Sequence, residues 1–251
     1  MNAFAGPASL RALRRWHRLA DGAATAEPSR AAKLRAEAEA LRRTLDRVIL
    51  AVDDRLSGAA RAPGLRLPLH TDWAWRPPLW ASAARPTGAV ATRRRTPLGE
   101  GVAVCHDATL AEVVVRQVRN DRPEDVARSG VAIETFGFDG SYLALSVDLP
   151  PEAVEGLTDL HMFRLGLTFD AERPTTVYGR LNLRCGPETV QAVCEFAPGP
   201  REMHADLDLG GTALGQRRAD GAWLDLILDR PAMSHVVIRD VTLARRPRAA
   251  L

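Results

Sequence analysis

The sequence predicts a mainly β protein, a jelly-roll-like antiparallel β-sandwich preceded by an N-terminal α-helical segment. Three observations carry that expectation. From Val102 onward the apolar residues recur with a period of two, in short runs bounded by turn-forming residues. No run of helical period separates those strands, which argues for a sandwich and against a parallel α/β sheet. Before residue 60 the apolar spacing is instead that of helices.

With 251 residues, 46% of them hydrophobic and 26% charged, the chain can bury one full core plus a smaller appendage. The pattern divides it into a basic helical region over 1–58, a Trp/Pro-rich linker or leading segment over 59–100, and a β-sandwich domain over 101–251.

The first helix is expected from Ser9, a suitable N-cap, to about Ala20. It sets Leu10, Leu13 and Trp16 against Arg11, Arg14, Arg15 and Arg18. A helix of this kind either meets an anionic surface or docks on its own domain with its arginines in water. The second helix should follow the Pro28-Ser29 start signal and run from about Ala31 to Leu56. Its apolar residues Leu34, Ala38, Leu41, Leu45, Val48, Val52 and Leu56 alternate steps of four and three before a final step of four. That narrow stripe suits a homo-oligomer through residues 30–57 or packing against the first helix.

Charge is divided unevenly, with 18 Lys/Arg against 8 Asp/Glu in residues 1–95 and 16 against 23 thereafter. A basic arm can meet nucleic acid, lipid or acidic glycan. Lys33 is the sole lysine among 34 basic residues, which points equally to a genome-level bias. No apolar run approaches the roughly 20 residues of a spanning helix, so the expected address is cytoplasmic, with contact at a membrane periphery as a variant.

Candidate strands cover 102–106, 111–119, 131–138, 141–149, 160–169, 175–184, 188–196, 202–209, 222–229 and 235–245. Asp139-Gly140 is expected to turn a tight hairpin between two of them. Alternation sends Phe163, Leu165, Leu167 and Phe169 into the core, and sets Met203, Ala205, Leu207 and Leu209 opposite His204, Asp206 and Asp208. Cys105, Cys185 and Cys194 form no Cys-x-x-Cys pair. If Gly186-Pro187 is a hairpin tip, Cys185 faces residue 188 and Cys194 faces residue 179, too far apart for a disulfide.

No catalytic motif is present: no Gly-x-Ser-x-Gly elbow, no His-Glu-x-x-His, no phosphate loop. An unrecognised hydrolase would need a carboxylate pair such as Asp206 and Asp225 brought together across strands. His204, Asp206 and Asp208 share one strand face, where either a calcium ion or cross-strand arginines must offset the acidic charge, and arginines are favoured. Neither metal nor cofactor is expected.

The candidate binding face lies on strand 175–184, where Tyr178, Arg180, Asn182 and Arg184 alternate with Val177, Gly179, Leu181 and Leu183. One aromatic ring flanked by forked hydrogen-bonding groups suits a sugar ring and its hydroxyls, or an acidic sugar or phosphate. None of these four should be needed for the core. Trp73, Trp75 and Trp80 lie within nine residues and hold three of the chain's five tryptophans. They either line a glycan platform or a groove for single-stranded nucleic acid, or staple the leading segment to the sandwich.

Five runs resemble those of an uncharacterised alphaproteobacterial family of unknown function. They are Asp72-Trp73-Ala74-Trp75-Arg76-Pro77, Arg116-Gln117-Val118-Arg119-Asn120, Phe138-Asp139-Gly140-Ser141-Tyr142-Leu143, Tyr178-Gly179-Arg180-Leu181-Asn182 and Arg239-Asp240-Val241-Thr242-Leu243. This resemblance spans nearly the whole chain, implies a single module, and assigns no activity. The endings Trp223–Leu228 and Val236–Leu243 are similar to the last two strands of galactose-binding-like jelly rolls found in carbohydrate-binding modules. The resulting expectation is a non-catalytic module that recognises a glycan or acidic polymer, with the helical region for attachment or self-association. The alternatives are an assembly protein docking on a larger particle or membrane-associated complex, and a carboxylate-dependent hydrolase.

Overall fold

The computed structural model describes residues 7–56, 65, 67–81, 87–90, 93–99 and 101–248. It divides into two compact units, 1–58 and 59–251.

The N-terminal unit contains α1 (Pro7–Asp21) and α2 (Pro28–Leu56), joined through a single 3-10 turn. Pro28 opens α2, where its fixed φ suits the first turn and its missing N–H would in any case lack a helical partner. The arginine face of α1 is solvent-exposed, as is Leu13. In α2, Leu34 is half-buried, whereas Leu41, Leu45 and Val48 remain exposed. The side chains of Leu10, Val52 and Leu56 lie outside the described residues. No described helix is long and apolar enough to cross a membrane.

The second unit is an antiparallel β-sandwich. Its leading segment supplies β1 (Trp73–Trp75), the short helix α3 (Pro78–Ala81), β2 (Gly88–Val90) and β3 (Arg95–Pro97). Then follow β4 (Val102–His106), β5 (Ala111–Arg119), β6 (Ser129–Phe138) and β7 (Leu143–Asp148). The series ends with β8 (His161–Ala171), β9 (Val177–Cys185), β10 (Glu188–Phe196), β11 (Glu202–Asp208), β12 (Gly221–Leu228) and β13 (Ser234–Pro247). All ten expected strands are present, with ends displaced by about two residues at most, because their periodicity is long enough to read.

Sheet A has the order β11-β8-β13-β6-β5-β2, with β1 also paired to β13, and sheet B the order β10-β9-β12-β7-β4-β3. From β4 onward only β5–β6 and β9–β10 are hairpins, so every other link crosses between the sheets, as a jelly-roll-like path requires. Phe163, Leu165, Leu167 and Phe169 are buried between the sheets. Leu207 and Leu209 join them in full, and Met203 and Ala205 pack from a half-buried position. Each fully buried Leu or Phe contributes about 1.5–3 kcal/mol.

The expected Asp139-Gly140 hairpin does not form, because β6 and β7 belong to different sheets. Here Asp139 Oδ1 accepts hydrogen bonds from the backbone N–H groups of Thr109 and Leu110, at 2.8 and 2.9 Å. Asp107 receives Ser141 in the same way. A Cβ on Gly140 would lie 2.8 Å from the Ala108 nitrogen, so glycine is needed for close approach of the 107–108 backbone. The β9–β10 hairpin behaves as expected, with Gly186 at φ 64° and the pairs Cys185–Glu188 and Cys194–Gly179. All three cysteines are free.

Trp80 is fully buried, and its Nε1 donates to the Ile238 carbonyl at 3.0 Å. Arg76 forms a two-pronged, nearly buried ion pair with Asp240, at 2.8 and 2.9 Å. The leading segment is thereby built into the sandwich. Its strands are three residues each, too short for a period of two to show.

Candidate functional site

The outward face of sheet B carries the sequence-predicted residues of β9 and surrounds them with others. Val177, Gly179, Leu181 and Leu183 turn inward, which leaves Tyr178, Arg180, Asn182 and Arg184 on the opposite face. Cross-strand register then sets their neighbours. Tyr178 lies between Glu195 and Ile227, Arg180 between Val193 and Asp225, and Asn182 between Gln191 and Trp223. Beyond β12 the same face continues through Ala144, Ser146 and Asp148 of β7 and Ala103 of β4. Ala103, Ala144 and Ser146 are buried although they face outward, so small side chains pave the middle of the face.

Arg180 donates through Nε and Nη2 to Asp225 Oδ2, at 3.2 and 2.9 Å. The Asn182 amide nitrogen donates to that same oxygen at 2.9 Å, and the Asn182 carbonyl accepts from Gln191 Nε2 at 2.9 Å. A nearly buried carboxylate requires such partners, because an unpaired charge there would be costly. Arg184 is held by Asp220 at 2.5 Å and keeps that carboxyl below its ordinary range.

These contacts correct the expectation that the four residues are free for a ligand. Asn182 is 1% exposed and its amide is committed to Asp225 and Gln191, so it positions its neighbours instead of reaching outward. Arg180 also has a structural duty toward Asp225. The groups that remain open include the half-buried rings of Tyr178 and Trp223, whose hydroxyl and Nε1 form no hydrogen bond among the described residues, and the outward edges of Arg180 and Gln191. Four residues of β9 separate Tyr178 from the position facing Trp223, or about 14 Å at roughly 3.4 Å per residue. Trp223 and Asp148 escaped the sequence reading, since only strand order brings β12 beside β9 and β7 beside β12, whereas Gln191 opposite Asn182 follows from the register of the expected β9–β10 hairpin.

Trp73 and Trp75 do not belong to this face. They lie in sheet A opposite the buried Arg245 and Leu243, and pack against the core. Trp73 meets Phe163 edge-on with ring centroids 6.0 Å apart. Both are half-buried and packed on the core, as a staple requires, and they lie in the other sheet from Tyr178.

The postulated acid–base pair also fails. Asp206 belongs to β11 in sheet A and Asp225 to β12 in sheet B, so no substrate bond can lie between them. Asp206 is clasped by Arg164 at 2.8 and 2.9 Å and by Arg246 at 3.2 Å, and Asp208 by Arg248 at 3.2 Å. Arginines therefore neutralise the acidic strand face, and no cluster of three metal-ligating side chains occurs among the described residues. Burial pushes the Cys105 thiol up even with Arg95 Nη1 3.6 Å away, the reverse of what a cysteine nucleophile needs.

A concavity of about 370 Å³ lies elsewhere, on the outer face of sheet A beside Gly166, His204 and Thr242. Its arginines are drawn into ion pairs, Arg239 and Arg201 with the neighbouring Asp170 at 2.6 and 2.7 Å and Arg239 with Asp125 at 3.2 Å, although Arg201 Nε and Nη2 and Asp125 Oδ1 find no hydrogen bond among the described residues. Burial opposes ionisation of Asp170, but Arg239, Arg201 and Arg122 outweigh it and hold the carboxyl below its ordinary value. The Arg164 hydrogen bonds do the same for Asp206. A carboxyl depressed on folding contributes stability above its unfolded value and loses it as pH falls through the folded one. Denaturant midpoints should therefore hold down to about pH 4 and then fall, and Arg239→Gln should flatten that decline.

The geometry defines a class: an antiparallel β-sandwich with a polar, aromatic-bearing sheet face and an N-terminal helical unit. The chain belongs to a family of unknown function, DUF6478, whose model matches residues 3–251. No curated protein matches it in sequence. Among solved structures it is similar to the bacteriophage CBA120 tailspike protein 4, with 9% identity, a TM-score of 0.40, and 65% of this chain covering 21% of that one. It is also similar to a family 11 carbohydrate-binding module from Clostridium thermocellum, with 11% identity, a TM-score of 0.39 and coverage of 60% and 92%. A third is TmCBM61 in complex with β-1,4-galactotriose, with 12% identity, a TM-score of 0.36 and coverage of 64% and 96%. Similarity at this level assigns neither ligand nor activity to this chain.

Proposed function

We propose that the outward face of sheet B binds a glycan or acidic polymer without transforming it. One observation carries this reading: two half-exposed aromatic rings, Tyr178 and Trp223, bracket a hydrogen-bonded polar network on a floor of small side chains. The rings supply apolar faces for sugars, and the internally braced Arg180, Asp225 and Gln191 offer fixed donors and acceptors between them. Such pre-organisation lowers the entropic cost of holding a polar ligand. The full-length protein should bind a subset of an array of neutral and uronic-acid glycans, with calorimetry confirming each hit. Retention of uronic acids alone would identify an acidic polymer, and an array with no hit would remove the reading.

The helical unit favours attachment as a companion role. Arg11, Arg14, Arg15 and Arg18 are exposed on α1 together with Leu13, an arrangement that fits an anionic surface. The full-length chain should co-sediment with acidic vesicles at low salt and release as salt rises, and joint replacement of the four arginines by glutamine should abolish retention. Equal sedimentation with neutral and acidic vesicles would exclude this role.

A further inference from the structure

We infer that α2 is the seam of a parallel, in-register homodimer, whose occupant is a second copy of this chain. In the described part of α2 the apolar side chains Leu34, Leu41, Leu45 and Val48 follow the four-three spacing of a coiled-coil seam, with Ala38 between them. Leu41, Leu45 and Val48 are 38%, 51% and 54% exposed, so the chain's own α1 leaves this stripe in water. From Leu34 to Leu45 the stripe is narrower than the apolar face of a helix that docks on a globular core, which adds a third position in each pair of turns, and it widens only after Val48, where Ile49 and Leu50 follow in sequence. A seam only two positions wide matches another helix of the same kind.

Flanking charges select the partner's direction. With Leu34, Leu41 and Val48 at one seam position and Ala38 and Leu45 at the other, Glu37 flanks one side and Arg35 and Arg42 the other. In a parallel dimer the residue before Ala38 faces the partner's residue five places on, which sets Glu37 against Arg42 of the second copy. An antiparallel pairing brings like flanks together and sets Arg35 and Arg42 of the two copies against each other. Parallel pairing has one like-charged contact, Arg30 with Arg35, and there Arg35 is already engaged by Glu39 at 2.8 Å. Among the described residues Glu37 is held only by a 3.9 Å contact with Arg15, so it can turn to a partner. A dimer of this form would carry two sandwiches and engage a repeating ligand at two points, with the gain in avidity that linkage gives. The dimer inference itself does not rest on the glycan reading.

Sedimentation equilibrium of the full-length protein should give a dimer that dissociates on dilution. Leu41→Asp with Leu45→Asp should give a monomer whose sandwich melts as in the wild type, because residues 59–251 form their own unit. Glu37→Arg should raise the dimer dissociation constant by about tenfold, through two lost attractions and two new repulsions, and adding Arg42→Glu should restore it. Under mild oxidation Ala38→Cys should form a disulfide-linked dimer that the wild type, with its three native cysteines, does not. A wild-type monomer at high concentration would overturn the inference. So would a dimer that the two aspartates leave intact, while failure of both the charge swap and the Ala38→Cys cross-link would overturn the parallel register.

Discussion

Replacing Trp80 by alanine is expected to destabilise the sandwich by about 3–5 kcal/mol, the range for removing a fully buried large aromatic. The loss has two parts. One is the cavity left where the indole packs, and the other is the Ile238 carbonyl, which loses the Nε1 donor. That carbonyl sits where β13 stops pairing with β6 and shifts register against β8, between Ile238 and Asp240, so the strand ladder supplies no substitute there. Trp80→Phe should keep most of the packing and cost about 1–3 kcal/mol. Urea unfolding of the full chain would measure both. A cost below about 1 kcal/mol for Trp80→Ala would show that the leading segment is dispensable to the sandwich.

The double variant Tyr178→Ala, Trp223→Ala should weaken glycan binding about a hundredfold. That follows if each ring contributes roughly 1.4 kcal/mol and the two contact separate parts of the ligand. Neither ring fills the core, so stability should fall by only about 1 kcal/mol for each. Asn182→Ala is the contrasting control. It leaves Asp225 with Arg180 alone and Gln191 without an acceptor, so it should lower both the melting temperature and the affinity. Single ring variants that unfold the protein would show that Tyr178 and Trp223 are structural, and binding unchanged in a folded double variant would place the ligand elsewhere.

The face of β9 was legible because Tyr178, Arg180, Asn182 and Arg184 are polar or amphipathic at every second position. Nothing in that alternation says how far each group is spoken for. In one dimension Asp206 and Asp225 look equally available as members of a carboxylate pair. Strand order set Arg180 beside Asp225 instead.

Local sequence determined what depends on near neighbours: ten long strands, their inward and outward residues, two helices, and the β9–β10 turn at Gly186. Those features follow from a side-chain period of two or 3.6 and from the φ that glycine allows. Tertiary structure decided what depends on distant segments meeting. It turned Asp139-Gly140 from a hairpin into a link between sheets, because the 107–108 backbone passes against it. It drew Trp73, Trp75 and Trp80 against the core, where burial outweighs any gain from exposing three indoles to solvent. It also brought Trp223 to Asn182, since hydrogen bonding between β12 and β9 sets register across strands that the chain visits far apart.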